Sequence, residues 1–134
     1  MSGEVIFPVV LEVLTWGYNR RNGPPPHDLS VNVRWIPNPY KQPDFHDLSG
    51  LDQPVQDWVF AQPGVAAWFE SLLDLLGPIV AGAETSGQRL VTVAIGCQGG
   101  HDRSVSIAIK LAEAFERAGT RTHVKHLSFV RGPR

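Results

Sequence analysis

The sequence contains very little cysteine, since Cys97 is the only one among its 134 residues. A single thiol cannot form an internal disulfide, and this usage favours a reducing compartment, so we expect a cytoplasmic protein. No group of cysteines and histidines has the spacing of a zinc site. We therefore predict neither a bound metal nor a cofactor.

The sequence also lacks an N-terminal secretion signal and a long apolar run. Residues 1–8 include no basic segment, and no apolar stretch reaches membrane-spanning length, so we expect no membrane association. A composition of 43% hydrophobic and 19% charged residues is ordinary for globular proteins. At this length we expect residues 1–134 to form a single domain.

Basic residues are absent from the middle of the chain, although the net charge is only −1. Residues 42–84 contain seven acids and no Lys or Arg. Residues 117–134 show the reverse pattern, with no acid and five basic residues: Arg117, Arg121, Lys125, Arg131 and Arg134. This basic face could bind RNA phosphates, and a merely solvated edge is the alternative interpretation.

The apolar periodicity predicts an α/β fold. Runs at 8–16, 29–36, 89–95 and 120–129 are typical of strands, and helical spacing predicts helices over 63–81 and 103–118. Residues 41–54 and 82–87 are expected to be loops. The last strand, helix and strand form a βαβ unit, so we predict a small mixed sheet with helices packed against it.

The glycine-rich turn (residues 97–104) follows the strand predicted at 89–95 and reads C-Q-G-G-H-D-R-S. Glycines let main-chain N–H groups converge on an anion, and the following helix adds its own unpaired N–H groups. Arg103 supplies a planar fork for two oxygens, and Ser104 supplies a hydroxyl. The turn therefore predicts an anion-binding site, whereas a plain strand-to-helix turn is the alternative.

The spacing of Cys97 and Arg103 resembles the phosphate loop of cysteine-dependent phosphatases. That resemblance implies a nucleophilic Cys97 thiolate and an Arg103 that holds phosphate oxygens. Gly96 departs from the family, which commonly has histidine there, and Asp102 adds a carboxylate that should repel a dianion. A catalytic acid would have to come from another loop, where the candidates are Asp44, Asp47 and Asp52.

Three longer blocks resemble the C-terminal domain of the RapZ (YvcJ) family. They are V-R-W-I-P-N-P-Y at 33–40, L-S-G-L-D-Q-P-V at 48–55 and V-T-V-A-I-G-C-Q-G-G-H-D-R-S-V at 91–105. The resemblance implies a domain like a subdomain of phosphofructokinase. It also implies a regulatory domain that senses phosphosugars or nucleotides, binds small regulatory RNA and self-associates, with a partner protein as a further expectation.

The same resemblance places a ligand pocket between the glycine-rich turn and the strand end before the Pro-Asn-Pro turn. The implied ligand-binding residues are Gln98, Gly99, Gly100, His101, Asp102, Arg103, Ser104, Asn32, Arg34, Asn38 and Tyr40.

The sequence departs from this family in several places. It has no G-x-x-x-x-G-K-[ST] phosphate loop, so it resembles a stand-alone C-terminal domain without the kinase-like N-terminal domain, and nucleotide hydrolysis does not carry over. The family usually has His where Asp102 stands, Asp where Asn32 stands and His where Tyr40 stands. Its basic C-terminal run is also thinner here. Anion binding therefore carries over better than the identity of the ligand.

Overall fold

The computed structural model describes residues 8–130, which contain two strands, two helices and then a strand, a helix and a strand in chain order. The four strands are β1 (Val10–Gly17), β2 (Leu29–Asn32), β3 (Leu90–Cys97) and β4 (Arg121–His126). The three α-helices are α1 (Gln53–Ala61), α2 (Val65–Ser86) and α3 (Arg103–Arg117). Two short 3₁₀ turns, Pro39–Lys41 and Pro43–Phe45, lie between β2 and α1.

The strands form one sheet in the order β2-β3-β1-β4. This arrangement confirms the predicted α/β class and the C-terminal βαβ unit, in which α3 connects β3 to β4. We expected a mixed sheet, but every strand pair in residues 8–130 is parallel. The long connections between strands explain the difference, because antiparallel neighbours are usually joined by short hairpins and parallel ones require crossovers.

The core lies between the sheet and the helices. Alternate residues of β1 and β3 point into it, and Leu11, Val13, Val93 and Ile95 have no exposed surface. Burying each such side chain contributes about 1.5–3 kcal/mol before entropic costs. The packing fixes the positions of the strand ends, and the register pairs Gly17 at the end of β1 with Cys97 at the end of β3.

Helix α2 is longer than the periodicity predicted. We expected a helix over 63–81 and a loop over 82–87, but the helix continues to Ser86 and the loop prediction is wrong. The helix ends where Gly87 adopts a left-handed φ of 81°, which glycine reaches without strain. Val80 and Ala83 are buried, so core packing extends the helix through the small polar residues that suggested a loop.

The same helix corrects the expectation that no apolar segment reaches membrane-spanning length. By length and composition alone, α2 could cross a membrane. A helix that buries one face in a protein core can meet the same criterion. In α2, Val65, Leu72 and Leu76 are buried in the core.

The segment between β2 and α2 is more ordered than the loop we predicted over 41–54. The 3₁₀ turns occupy its first part, and α1 follows from Gln53, although the sequence pattern indicated no helix there. Val55 and Val59 are fully buried on one side of α1. Two buried valines over nine positions give too weak a periodicity to predict a helix.

Strand β2 is shorter than the alternation over 29–36 predicted. The Oδ1 atom of Asn32 accepts hydrogen bonds from the main-chain N–H of Arg34 at 2.9 Å and from its Nε at 3.2 Å. This local bond turns the chain out of the sheet. Trp35 therefore does not face the core with Val33 and is 48% exposed.

Candidate functional site

The carboxyl ends of β1 and β3 bring the glycine-rich turn against the segment that follows β1. The carbonyls of Cys97 and Gln98 accept hydrogen bonds from the N–H groups of Tyr18 and Asn19, at 2.9 and 3.0 Å. In open α/β sheets ligands bind in the crevice at this edge. The predicted site residues of the turn therefore lie where the fold itself favours a ligand.

Two glycines allow the turn to approach β1 closely. Gly100 has a left-handed φ of 68°, and a Cβ atom there would lie 2.9 Å from the main-chain nitrogen of Gly17. A Cβ on Gly17 would lie 2.6 Å from the carbonyl carbon of Gly99. Larger residues at these positions would push the turn away from the sheet and alter the shape of the site.

The main-chain carbonyls and amides of the turn differ in how many of them are hydrogen-bonded. Four of its carbonyls accept hydrogen bonds, since those of His101 and Asp102 are bonded by Gly50 and Ser106 in addition to the two at the start of the turn. By contrast, several turn amides have no acceptor among residues 8–130, namely those of Gln98, Gly99, Gly100, Arg103 and Ser104. Unused N–H groups next to a helix N-terminus attract an anion.

A cavity of about 190 Å³ opens beside the turn. Of the predicted ligand-binding residues, those that line it are Gln98, Gly99, His101, Asp102, Arg103, Asn38 and Tyr40. Cys97 also contributes to the lining. Asn19 lies in the wall as well, although the sequence did not predict it, because only the register of β1 against β3 brings this residue to the turn.

Arg103 is a buried cation whose charge is not paired with a carboxylate in residues 8–130. The residue is 7% exposed, and Nη1 donates to the carbonyls of Arg34 at 3.0 Å and Ile36 at 2.8 Å. Carbonyl oxygens satisfy the N–H groups but do not neutralise the guanidinium. The buried charge beside a cavity therefore favours an anionic ligand.

Cys97 and Ser104 face each other at the base of the turn. The Sγ and Oγ atoms are 3.1 Å apart, and both residues are buried. Because Ser104 bonds the thiol and does not line the cavity, its side chain supports the wall rather than contacting the space inside. Gly100 also lies outside the lining, where its backbone shapes the turn.

His101 and Asp102 form a close pair at the cavity. His101 Nδ1 lies 2.6 Å from Asp102 Oδ1, and the imidazole stacks on Phe129 with ring centroids 5.0 Å apart. His101 also lines a second cavity of about 280 Å³, so the imidazole stands between two openings. The second cavity has an acidic wall that includes Asp47 and Asp52.

The other two predicted ligand residues lie outside the cavity lining. Asn32 is bonded to Arg34, whose guanidinium carbon lies 3.5 Å from the centroid of the Tyr18 ring. Arg34 thus contributes its carbonyl to Arg103, while its charged group stacks on Tyr18. Tyr40, which does line the cavity, is 41% exposed and stacks on His46 at 4.7 Å.

The predicted basic face is only partly described. Arg121, His123 and Lys125 lie on the exposed side of β4, whereas His126 lies on the other side. Arg117 is exposed at the end of α3. The remaining two predicted cations, Arg131 and Arg134, lie outside the described residues. Within residues 8–130, no group of His, Cys, Asp and Glu could hold a metal ion.

The sequence matches one protein family over most of its length. A family model described as the RapZ C-terminal domain matches residues 9–129, a range that includes the glycine-rich turn. A nucleotide-binding protein of Lactiplantibacillus plantarum is 37% identical over 116 residues, covering 87% of this chain and 39% of the relative. One of Azotobacter vinelandii is 42% identical over 99 residues, covering 74% and 35%, respectively.

A third relative is also much longer than the segment that it shares with this chain. A nucleotide-binding protein of Corynebacterium jeikeium is 35% identical over 124 residues, covering 92% of this chain and 42% of the relative. The chain therefore spans about two-fifths of the length of these curated relatives.

Proposed function

Because the chain belongs to the family of the RapZ C-terminal domain, we propose that it is a ligand-sensing domain that binds a phosphorylated small molecule, a sugar phosphate or a nucleotide. The ligand would occupy the cavity beside the glycine-rich turn. The names of the relatives support a nucleotide among the ligands, but they describe proteins more than twice as long as the matched segment. Hydrolysis of a nucleotide is no part of the proposal.

The observation that carries this proposal is the uneven use of the main chain in the turn. Four of its carbonyls accept hydrogen bonds within residues 8–130, whereas the amides of Gln98 and Gly99 have no acceptor there. Both residues line the cavity together with the buried guanidinium of Arg103. Phosphate oxygens are suitable acceptors for all of these donors, and their negative charge balances that of the guanidinium.

A thermal-shift screen tests the proposal with inorganic phosphate, sugar phosphates and mononucleotides. A ligand that binds the native state raises the melting temperature to an extent set by its affinity and concentration. Arg103→Lys keeps the charge but loses the fork, and we expect it to bind the best ligand about tenfold or more weakly. Arg121→Ala, which removes an exposed cation from β4, should bind normally. The proposal fails if none of these compounds shifts the melting temperature.

RNA binding is a second candidate, favoured by the exposed position of Arg121 and Lys125 on one side of β4. If several phosphates are contacted, the affinity for a small RNA should fall steeply with salt. Replacing both residues with alanine should then weaken binding and flatten the salt dependence. An RNA affinity that does not change with salt concentration, or the absence of a complex at low salt, would contradict this function.

A cysteine-dependent phosphatase is the third candidate, because Cys97 lines the cavity and precedes Arg103 in the spacing of a phosphate loop. The hydroxyl of Ser104 could donate to a thiolate at 3.1 Å. Asp47 and Asp52 line the neighbouring cavity, whereas Asp44 lies in the lining of neither. Turnover of an aryl phosphate that disappears in Cys97→Ser would support this activity, and equal rates in both proteins would exclude it.

Self-association, a partner protein and a cytoplasmic location are also proposals that rest on the family resemblance and on the cysteine usage. Sedimentation equilibrium tests the first of them directly. A mass that stays at 14.7 kDa over a wide concentration range would show a monomer and contradict self-association.

A further inference from the structure

The segment that follows β4 (residues 127–129) lies against the end of β1. The main-chain N–H of Leu127 donates to the carbonyl of Thr15 at 2.9 Å, so pairing with β1 continues beyond the last residue of β4. Ser128 Oγ then accepts a hydrogen bond of 3.0 Å from the main-chain N–H of Gly17. The 127–129 segment therefore reaches the last residue of β1.

The same segment also contacts the glycine-rich turn. The ring of Phe129 stacks on the imidazole of His101, with centroids 5.0 Å apart and planes 18° apart. Ser128 approaches the turn more closely still, because a Cβ atom added to Gly100 would lie 2.8 Å from the Cβ of Ser128. Only a residue without a side chain leaves room for this approach. Ser128 thus packs directly on Gly100.

The middle of the turn has no hydrogen bond to fix it. Within the described part of the chain, neither the N–H nor the carbonyl of Gly99 or Gly100 is hydrogen-bonded, and the bonds that hold the turn involve the residues on either side of this pair. The atoms nearest to an added Cβ on Gly100 belong to Ser128, Gly17 and Trp16. Packing against these residues therefore locates the glycine pair.

The hydroxyl of Ser128 ties this packing contact to the sheet. Gly17 is buried, so its N–H needs an acceptor, and the Ser128 hydroxyl supplies one. Because β1 pairs with β3 on one side and β4 on the other, Gly17 has a fixed position. The bond therefore fixes the distance between the sheet and the atom that packs on Gly100.

From these contacts we propose that Ser128 is a positioning residue of the anion site, which holds the glycine pair where the turn amides can bind a phosphate group. This inference rests on the proposed function, because it concerns the same turn. Ser128 lines neither cavity, so it acts through Gly17 and Gly100 rather than on the ligand. Donors that are fixed before binding lose less entropy when the ligand arrives, which strengthens binding.

Calorimetry with inorganic phosphate tests this role on the whole chain. Ser128→Ala removes the acceptor of the Gly17 N–H, so the turn is less well fixed before binding, and we expect the affinity for phosphate to fall about fivefold or more. Ser128→Thr keeps the hydroxyl and should bind phosphate within about twofold of the parent protein. An affinity of Ser128→Thr as low as that of Ser128→Ala would overturn the role of the hydroxyl.

A matched control removes a serine hydroxyl at the other end of the sheet. Ser86 Oγ donates to the carbonyl of Ala83 at 3.3 Å near the end of α2. The chain passes from there to the start of β3, whereas the turn follows the end of β3. Ser86→Ala should therefore bind phosphate as the parent does.

Nuclear magnetic resonance separates positioning from a general loss of stability. A residue that only stabilised the fold would lower the free energy of unfolding and leave the turn of the folded protein unchanged. In isotope-labelled Ser128→Ala without phosphate, the amide signals of Gly17, Gly99 and Gly100 should shift, whereas those of α2 should not. Unchanged signals of the glycine pair would overturn the proposal.

The outcomes separate this proposal from the function on which it rests. Equal phosphate affinities of the parent and Ser128→Ala contradict the proposal and leave the anion site in place. The proposal puts a phosphate group on the turn itself. Absence of phosphate binding, while a sugar phosphate still raises the melting temperature, therefore contradicts the proposal but not the function. If neither inorganic phosphate nor any phosphorylated compound binds, both are wrong.

Discussion

The Nη1 atom of Arg103 donates a hydrogen bond of 2.8 Å to the main-chain carbonyl of Ile36, 67 positions earlier in the chain. The same atom bonds the carbonyl of Arg34 at 3.0 Å. These bonds fasten the segment after β2 to the start of α3, directly beside the cavity. A residue predicted as a ligand donor is therefore also part of the structure that shapes the site.

Arg103→Ala should destabilise the protein even without a ligand. The substitution removes the donor to two carbonyls, one of which lies in a buried hydrogen bond, so we expect a loss of about 1–3 kcal/mol. Arg103→Lys should recover part of this loss, because an ammonium group still donates. Urea unfolding measures both changes, and an unchanged free energy of unfolding in Arg103→Ala would show that these bonds contribute nothing.

Gly96→Ala should destabilise the fold through lack of space. The new Cβ would lie 2.7 Å from Trp16 Cε2 and 2.8 Å from Tyr18 Cε2, and overpacking of this kind costs about 1–3 kcal/mol. Gly99→Ala is the matched control, because no heavy atom beyond its two chain neighbours lies within 4 Å of its Cβ position. Thermal unfolding compares the two variants, and equal melting temperatures would contradict the packing at Gly96.

His126 should make the stability depend on pH. Burial lowers the pKa of its imidazole from the usual value of 6.5, so the folded state favours the neutral ring, whose Nδ1 lies 2.8 Å from Thr15 Oγ1. The unfolded chain binds the proton more readily. The stability that this residue contributes is therefore complete above the unfolded pKa of 6.5 and is lost as the pH falls through the lower, folded pKa.

Chemical denaturation between about pH 8 and pH 5 measures this effect. In His126→Gln the free energy of unfolding should change less over the acidic part of the range than in the parent protein. His123→Gln is the control, because that side chain is 61% exposed and its contact with Glu12 is a long, solvent-screened 3.7 Å, so the variant should retain the slope of the parent. The assignment to His126 would be wrong if both variants showed the same slope.

The thiol of Cys97 should react slowly in the native protein. The residue is 2% exposed and its Sγ lies against Ser104 Oγ, so a maleimide must wait for the turn to open. Denaturing urea should make labelling fast, and sulfate should slow it further in the native state if it fills the cavity. Mass spectrometry measures the labelling rate. Equal rates with and without urea would contradict a packed thiol.

The regular parts of the fold could be predicted from the sequence. The β-branched run of β1, the helical spacing of α3 and the glycine after it all lie in short windows, so local periodicity was enough. The extent of α2 and the existence of α1 were not predictable in this way. They depend on the burial of Ala83 in α2 and of Val55 in α1, which only the assembled core provides.

The residues that line the candidate cavity could be predicted from the sequence only in part. The glycine pair, Arg103 and the start of α3 lie within one short segment, so their proximity follows from the chain itself. Asn19 comes from another strand end and was missed, while Asn32 and Arg34 were expected in the pocket but lie outside its lining. The Asn32 side chain is bonded to Arg34, and the Arg34 guanidinium stacks on Tyr18, so neither side chain extends to the turn.

The α/β class and the βαβ unit could be recognised in the order of residues, and the proposed anion site was placed in the same way, because each depends on close neighbours in the chain. Three further properties required the folded molecule: which main-chain groups of the turn are already bonded, what Arg103 holds, and the position of His101 between two cavities. These properties depend on contacts between segments far apart in sequence, such as Arg103 with Ile36. No local pattern of residues encodes such contacts, since they form only when the strands and helices pack together.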